Sequence, residues 1–326
     1  KMLVGDMVNE KQKAKAYSIQ SFLCNAGSLV GFLFPFIFTW IGISNIAPQG
    51  VVPDSVIYSF YIGAAILILC VIYTTVKVKE MPPAEYAEYH GITEEEKKEK
   101  INMVKLLVKA PKAFWTVGLV QFFCWFAFMF MWTYTNGSVA ANVFDAPTVE
   151  TVVNGANKVV LDTKSIQYQN AADWVGVLFA VQAIGSVLWA VCIPMFKNRK
   201  LIYSLSLVLG GIGFISTYFV HNQYVLFISF LLIGCAWAAM LALPFTILTN
   251  ALSGGHMGTY LGLFNGTICI PQIVAATLGG SILALFTPKG MLPPEINMLV
   301  MAGVMLIIGA VCVYLIKETK GEQAKA

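Results

Sequence analysis

The sequence predicts an all-α membrane protein, a polytopic helical bundle with eight transmembrane helices, and three observations carry that prediction. From Leu201 to Pro288 the chain has no Asp, Glu, Lys or Arg, a run that no water-soluble domain of this length tolerates. A helix needs about 20 apolar residues to cross the hydrocarbon core, so the run must hold several spans joined by short turns. Hydrophobic residues make up 58% of the chain and charged residues 12%, where a soluble domain has about 25% charged. Finally, the basic residues gather on alternate connections, as the loops on the cytoplasmic side of a membrane do.

Charge-free runs bounded by polar turns place the eight spans at 18–41, 55–76, 113–136, 174–196, 201–220, 224–249, 257–286 and 296–316. Within the long uncharged run the breaks fall at His221-Asn222-Gln223 and Ser253-Gly254-Gly255-His256. If the Lys1 to Lys15 end is cytoplasmic, alternation puts Lys77 to Lys112, Lys197 to Lys200 and the tail from Lys317 on the same side. That side then carries 18 of the 21 Lys and Arg residues, against Lys158, Lys164 and Lys289 opposite. The expected setting is the inner (cytoplasmic) membrane, with both ends cytoplasmic. The net charge of +4 follows from those loops, and no nucleic-acid partner is implied; the lipid bilayer is the implied one.

In the first expected span, Gly27 and Gly31 form G-x-x-x-G, a spacing that lets helix backbones approach closely. After the second comes a polar linker, 80–112, with Pro82-Pro83, the run Thr93 to Lys100 and Pro111 before the next span. Thr93 and Glu96 have the form of a capping box, and the Glu and Lys spacings suit a short surface helix. The connector 137–172 contains Asp145-Ala146-Pro147, Asn154-Gly155 and the alternating Lys158 to Asp162. It reads either as a small hairpin closed by an Asn-Gly turn or as a mobile loop. The expected domains are 1–79, the end of an N-terminal half-bundle; 80–112, a cytoplasmic linker; 113–316, a six-helix half-bundle; and 317–326, a cytoplasmic tail. Residues 1 to 8 read as the cytoplasmic end of a helix whose body lies upstream, which makes the chain N-terminally incomplete. A faint echo between Asp6 to Ile19 and Thr249 to Gly262, which aligns Tyr17 with Tyr260, fits two related six-helix halves.

Polar side chains inside apolar spans are the candidate site. Gln121, Trp125, Phe128, Met129, Trp132 and Asn136 recur at three- and four-residue intervals on one helix face. Hydrocarbon offers no reason to hold Gln or Asn there unless they face the bundle interior or water. Sugars take hydrogen-bonding side chains and aromatic faces for their apolar ring edges, so this stripe has suitable chemistry; the alternative is that Gln121 and Asn136 bond neighbouring helices and that Trp132 anchors at the outer membrane interface. Gln182 with Ser186 and Trp189, Trp237, and Asn265 with Ile268 and Gln272 are further candidates, with Gln20 and Asn25 from the first half. Pro244 and Pro271 each remove a backbone donor inside a span, and Pro271 is expected to kink its helix.

The acidic residues all fall in loops, linkers, tails or at span ends; Asp173 reads as a helix-start carboxylate. All three histidines lie in loops, so no proton relay is expected within the chain. The seven cysteines lie in apolar stretches without a C-x-x-C pair and read as small core residues. With no H-E-x-x-H, no phosphate loop and no nucleophile, base and acid cluster, the chain is not expected to be an enzyme or to take a cofactor or metal.

Gly5-Asp6-Met7-Val8 with Glu10-Lys11-Gln12-Lys13, the basic Lys197-Asn198-Arg199-Lys200 turn, Ala242-Leu243-Pro244-Phe245, Gly258 to Asn265 and Ile270-Pro271-Gln272 carry a resemblance. Together they resemble the sugar-transporting branch of the major facilitator superfamily, related to sucrose and maltose-type carriers and to glycoside-pentoside-hexuronide cation symporters. The resemblance implies the superfamily's helical bundle, present here as helices 5–12 plus the end of helix 4. It also implies alternating access to a site for a small-molecule sugar, of disaccharide size, with a coupling cation, a proton. The substrate set is then Gln121, Trp125, Trp132, Asn136, Gln182, Trp237, Asn265 and Gln272, and the cytoplasmic gating motif Asp6, Arg199 and Lys200. No Asp precedes Arg199 at the usual spacing, a departure from the superfamily pattern. Alternatives are a facilitator, since no carboxylate lies at membrane depth, a sodium-coupled glycoside symporter, a small-molecule exporter, or a non-transporting sensor on a transporter fold.

Overall fold

A computed structural model describes residues 10–43, 52, 54–79, 82, 85, 103–153, 156–196, 198–251 and 257–316. The expected helix at 93–100, the Asn154-Gly155 turn, Asp6 and Lys197 lie outside the described residues. The chain divides into two compact units, Lys1–Asn102 and Met103–Ala326.

In the first unit, α1 (Glu10–Trp40) packs against α2 (Asp54–Lys77). Among the described residues the G-x-x-x-G spacing of α1 makes no close packing contact. An added Cβ at Gly27 or Gly31 would meet nothing within 4 Å, because spacing alone does not determine what lies across a helix.

In the second unit, the short α3 (Met103–Val108) leads into α4 (Lys112–Asn142), followed by strands β1 (Thr148–Val153) and β2 (Ala156–Leu161). Next come α5 (Ile166–Cys192), α6 (Arg199–Ser216), α7 (Leu226–Ala251), α8 (Met257–Phe264), α9 (Gly266–Phe286) and α10 (Ile296–Cys312). Helix α7 packs against α5 and α6, α10 against α4 and α6, and α9 against α4. Glycines set the closest approaches. At Gly234 of α7 an added Cβ would strike the Gln182 carbonyl and the Ser186 amide of α5. Where α6 meets α10, Gly211 and Gly303 each bring the other's carbonyl against the position of an added Cβ. Without a hydrophobic drive between helices in lipid, such small-residue contacts supply the packing.

Seven helices among the described residues are long and apolar enough to cross a membrane, α8 and α9 forming one span, Gly258–Phe286. Helix α1 contributes a shorter apolar stretch, Phe22–Phe34. Boundaries differ from the sequence expectation in three places. Helix α4 continues to Asn142 rather than stopping at 136. Helix α5 begins at Ile166 rather than at 174, and Ser165 caps it by accepting the Tyr168 amide at 3.2 Å. Asp173 is therefore two turns inside α5 and exposed, not at the helix start. The third is the break at Asn265, ahead of Pro271: the Ile268 amide shifts back to the Asn265 carbonyl at 3.0 Å. The Phe264 carbonyl, deprived of that donor, accepts the Thr267 hydroxyl at 2.7 Å.

The 137–172 connector forms the hairpin. Strands β1 and β2 pair antiparallel in register from Thr148 opposite Leu161 to Val153 opposite Ala156.

Candidate functional site

Two tryptophans of α4, Trp125 and Trp132, meet a third that is distant in sequence, Trp237 of α7. Trp237 stands edge-on to Trp125 at 5.7 Å and to Trp132 at 5.8 Å, and Trp125 lies 6.4 Å from Trp132. Phe128 closes the group, 4.9 Å from Trp237 and 5.9 Å from Phe214 of α6. The three- and four-residue spacing of the α4 stripe places its rings on one face. The cluster grades from buried to open: Trp125 is 9% exposed and Trp132 42%. Trp132 thus presents an aromatic surface, supported from below by two other indoles. The buried Trp125 indole N–H has no acceptor among the described residues.

The polar candidates have separate roles. Gln121 is fully buried, and its Nε2 donates to the Met240 carbonyl at 2.9 Å. That carbonyl sits four residues before Pro244, which has no N–H to give it. Gln121 therefore supplies from α4 the hydrogen bond that proline removes from α7, and its own Oε1 is buried with no donor among the described residues. Asn136 donates through Nδ2 to the Tyr168 hydroxyl of α5 at 2.9 Å, again with its Oδ1 unpaired. Gln182 and Ser186 are buried on the face of α5 that meets Gly234 of α7. Trp189 extends that face by donating to Ser206 of α6 at 2.8 Å, so this group is a helix-helix contact. Asn265 is exposed at the α8–α9 break, its Nδ2 3.9 Å from Cys269 Sγ, and Gln272 is half-buried. The structure thus brings together Trp125, Trp132 and Trp237 with Gln121 beneath; Asn265 and Gln272 stand at the α8–α9 break and on α9, and Gln20 and Asn25 on α1 of the other unit.

On the opposite end of the second unit from the hairpin, Arg199 and Lys200 begin α6, and Asn198 caps it by accepting the Leu201 amide at 3.1 Å. Two cations at a helix N-terminus oppose the helix dipole, so they are not there to stabilise α6. At the same end the Tyr260 hydroxyl donates to the Leu106 carbonyl of α3 at 3.2 Å, and its ring meets Phe114 at 6.1 Å. This contact fastens the segment before α4 to α8.

One residue that sequence reading left among the loop carboxylates belongs with the structured groups. Glu295, entering α10 after Pro293-Pro294, is half-buried and rests its carboxylate on the Gly137 backbone of α4. Burial pushes its pKa up from the ordinary 4.5 to about 7. The available signal was a glycine near the end of a span and a carboxylate locked by two prolines at the start of another, but nothing in sequence pairs them.

Among the described residues no group of three or more His, Cys, Asp or Glu could hold a metal ion. No curated protein matches the chain. The family model described as Major Facilitator Superfamily matches residues 139–326, more than half of the chain. With seven apolar helices of membrane-crossing length, the protein is a multi-pass membrane transporter, and it belongs to the Major Facilitator Superfamily.

Proposed function

We propose that the protein moves a sugar of disaccharide size across the cytoplasmic membrane by alternating access, driven by protons. The observation that carries this reading is the indole cluster of α4 and α7, open at Trp132 and closed at Trp125. Aromatic faces take the apolar side of a sugar ring, burying its C–H groups against a large flat apolar surface. In this reading Trp132 and Trp237 meet the sugar, Asn136, Asn265 and Gln272 supply polar contacts, and Gln121, Trp125 and Gln182 hold the platform. Helix α1 is the eighth span, both termini are cytoplasmic, and residues 113–316 form a six-helix half following the 80–112 linker. Arg199 and Lys200, with Asp6, belong to the cytoplasmic gate.

Binding of maltose and sucrose to the purified protein, measured by titration calorimetry, tests the reading. Trp132→Ala should weaken affinity by about tenfold, equivalent to roughly 1.4 kcal/mol, and Trp132→Phe by less. If both sugars bind equally well to the wild type and to Trp132→Ala, the platform is not the site. If neither binds, the substrate class is wrong.

A further inference from the structure

Glu295 is the carboxylate whose surroundings fit neither a solvated loop nor an ion pair. Pro293 and Pro294 fix its approach: the Glu295 amide turns back to the Pro293 carbonyl at 2.9 Å, and the Met298 amide reaches the Glu295 carbonyl at 3.0 Å. The side chain is thereby laid across α4 at Gly137, the one place in that turn where no Cβ stands in the way. Alanine, or any larger residue, at position 137 would occupy the carboxylate's seat.

The ionisable groups facing it are the hydroxyls of Tyr134 from α4 and Tyr168 from α5, both close enough for its charge to act on them. Tyr168 is already committed to Asn136, whose Oδ1 is buried without a donor one residue from Gly137. Beyond α6, which also packs on α10, the following turn carries Tyr218, Tyr224 and His221, and the loop before α10 carries Lys289; of these, His221 and Lys289 are the groups that can be cationic. Neither makes an ion pair with Glu295 among the described residues. A carboxylate in this position is half-desolvated with no cation to offset the loss, which favours the neutral acid. The helix-terminal dipole favours the anion, while burial pushes the carboxyl up from 4.5 to about 7.

We propose that Glu295 is a proton-binding site of the transporter, its carboxyl seated on the Gly137 backbone where α10 enters the bundle beside α4. The site exchanges one proton with the solution on the side of the hairpin: the carboxyl O–H bond forms on uptake, and the proton returns to water on release. This inference rests on the proton-driven reading for its role in transport, but not for its titration.

Infrared difference spectra of the purified protein in nanodiscs, from about pH 5 to about pH 9, test the titration. A protonated-carboxyl band should disappear with a midpoint near 7, be missing in Glu295→Gln, and move down by at least about one pH unit in Gly137→Ala, where the added methyl displaces the carboxyl toward water. An ordinary carboxyl midpoint in the wild type, or an identical band in Glu295→Gln, overturns the site. Sugar uptake into proteoliposomes then separates the two ideas. Proton-driven uptake whose pH dependence is flattened by Glu295→Gln supports both. Proton-driven uptake unchanged in Glu295→Gln overturns the role of Glu295 in transport, whereas wild-type uptake indifferent to a pH gradient refutes proton coupling and leaves the titration to stand on its spectra.

Discussion

Replacing Gln121 by Leu separates two roles that the sequence leaves open for this residue. Its amide is fully buried, and its Nε2 reaches the Met240 carbonyl at 2.9 Å. Leu roughly preserves volume, so little of the effect is a cavity. Loss of a hydrogen bond costs about 0.5 to 1.5 kcal/mol, and an unsatisfied buried carbonyl can raise this to about 3. Two effects pull the figure down. Separated helices in the membrane leave the same carbonyl unpaired because Pro244 is part of either state, and interhelical polar bonds in membranes average about 0.6 kcal/mol. Leu also removes the unpaired Oε1. The expected net loss is therefore about 1 kcal/mol, too small to identify the cause from one variant. Pro244→Ala resolves it. An alanine amide at position 244 can restore the helical bond to Met240 and make Gln121 redundant. Gln121→Leu should then cost about 1 kcal/mol with the proline in place and about zero in the Pro244→Ala background. A double-mutant cycle by reversible SDS unfolding in micelles measures that coupling. Equal losses in both backgrounds would refute the proline-repair argument. A roughly tenfold loss of sugar affinity at unchanged stability would instead make Gln121 a substrate ligand.

Three further expectations follow from the packing and the charges. Gly234→Val should destabilise by about 1 to 3 kcal/mol or prevent folding, because its side chain meets backbone at Gln182 and Ser186; Gly280→Ala, open around its Cα, is the matched control in the same unfolding assay. The stability of the protein should fall as pH rises from about 4.5 to about 7: the folded state holds the Glu295 proton over that window and the unfolded state does not. The loss attributable to Glu295 is up to about 3 kcal/mol, so a thermal midpoint whose pH dependence is the same in Glu295→Gln contradicts the assignment. Cysteine at position 200 in a cysteine-free background should react with impermeant reagent only from the cytoplasmic side and cysteine at 164 only from outside; the reverse labelling inverts the topology.

Much of the secondary structure was legible because hydropathy along a membrane helix is a one-dimensional property. Alternation of charge-free runs with polar turns located the helices, and the Asn-Gly pair between alternating residues located one possible hairpin. What was not legible was which face meets which. The α4 stripe was recognisable as a face, but whether Gln121 meets solute or backbone depended on Met240, on a different helix. The Gly27 and Gly31 spacing pointed to close packing that the first unit does not use, while the glycines that do set helix approach, Gly211, Gly234 and Gly303, carry no G-x-x-x-G signature. Pro271 was expected to kink its helix, but the sequence did not locate the break at Asn265, ahead of the proline, where the Ile268 amide and the Thr267 hydroxyl share out the carbonyls of one turn.

By itself the sequence determined that this chain is a membrane-embedded helical protein, because apolar runs of that length cannot be left in water and backbone polar groups in lipid must be satisfied within helices. It also determined which side chains are unusual for their depth: Gln121, Trp125, Trp132, Asn136, Trp237. Only the tertiary structure decided what those side chains meet, and that Glu295 belongs among the structured groups. The physical reason is that a polar atom's role depends on its partner, and each partner here lies far away in sequence. Met240 stands across from Gln121, Tyr168 from Asn136 and Gly137 from Glu295. Local spacing states what a residue can offer; packing states what it is offered.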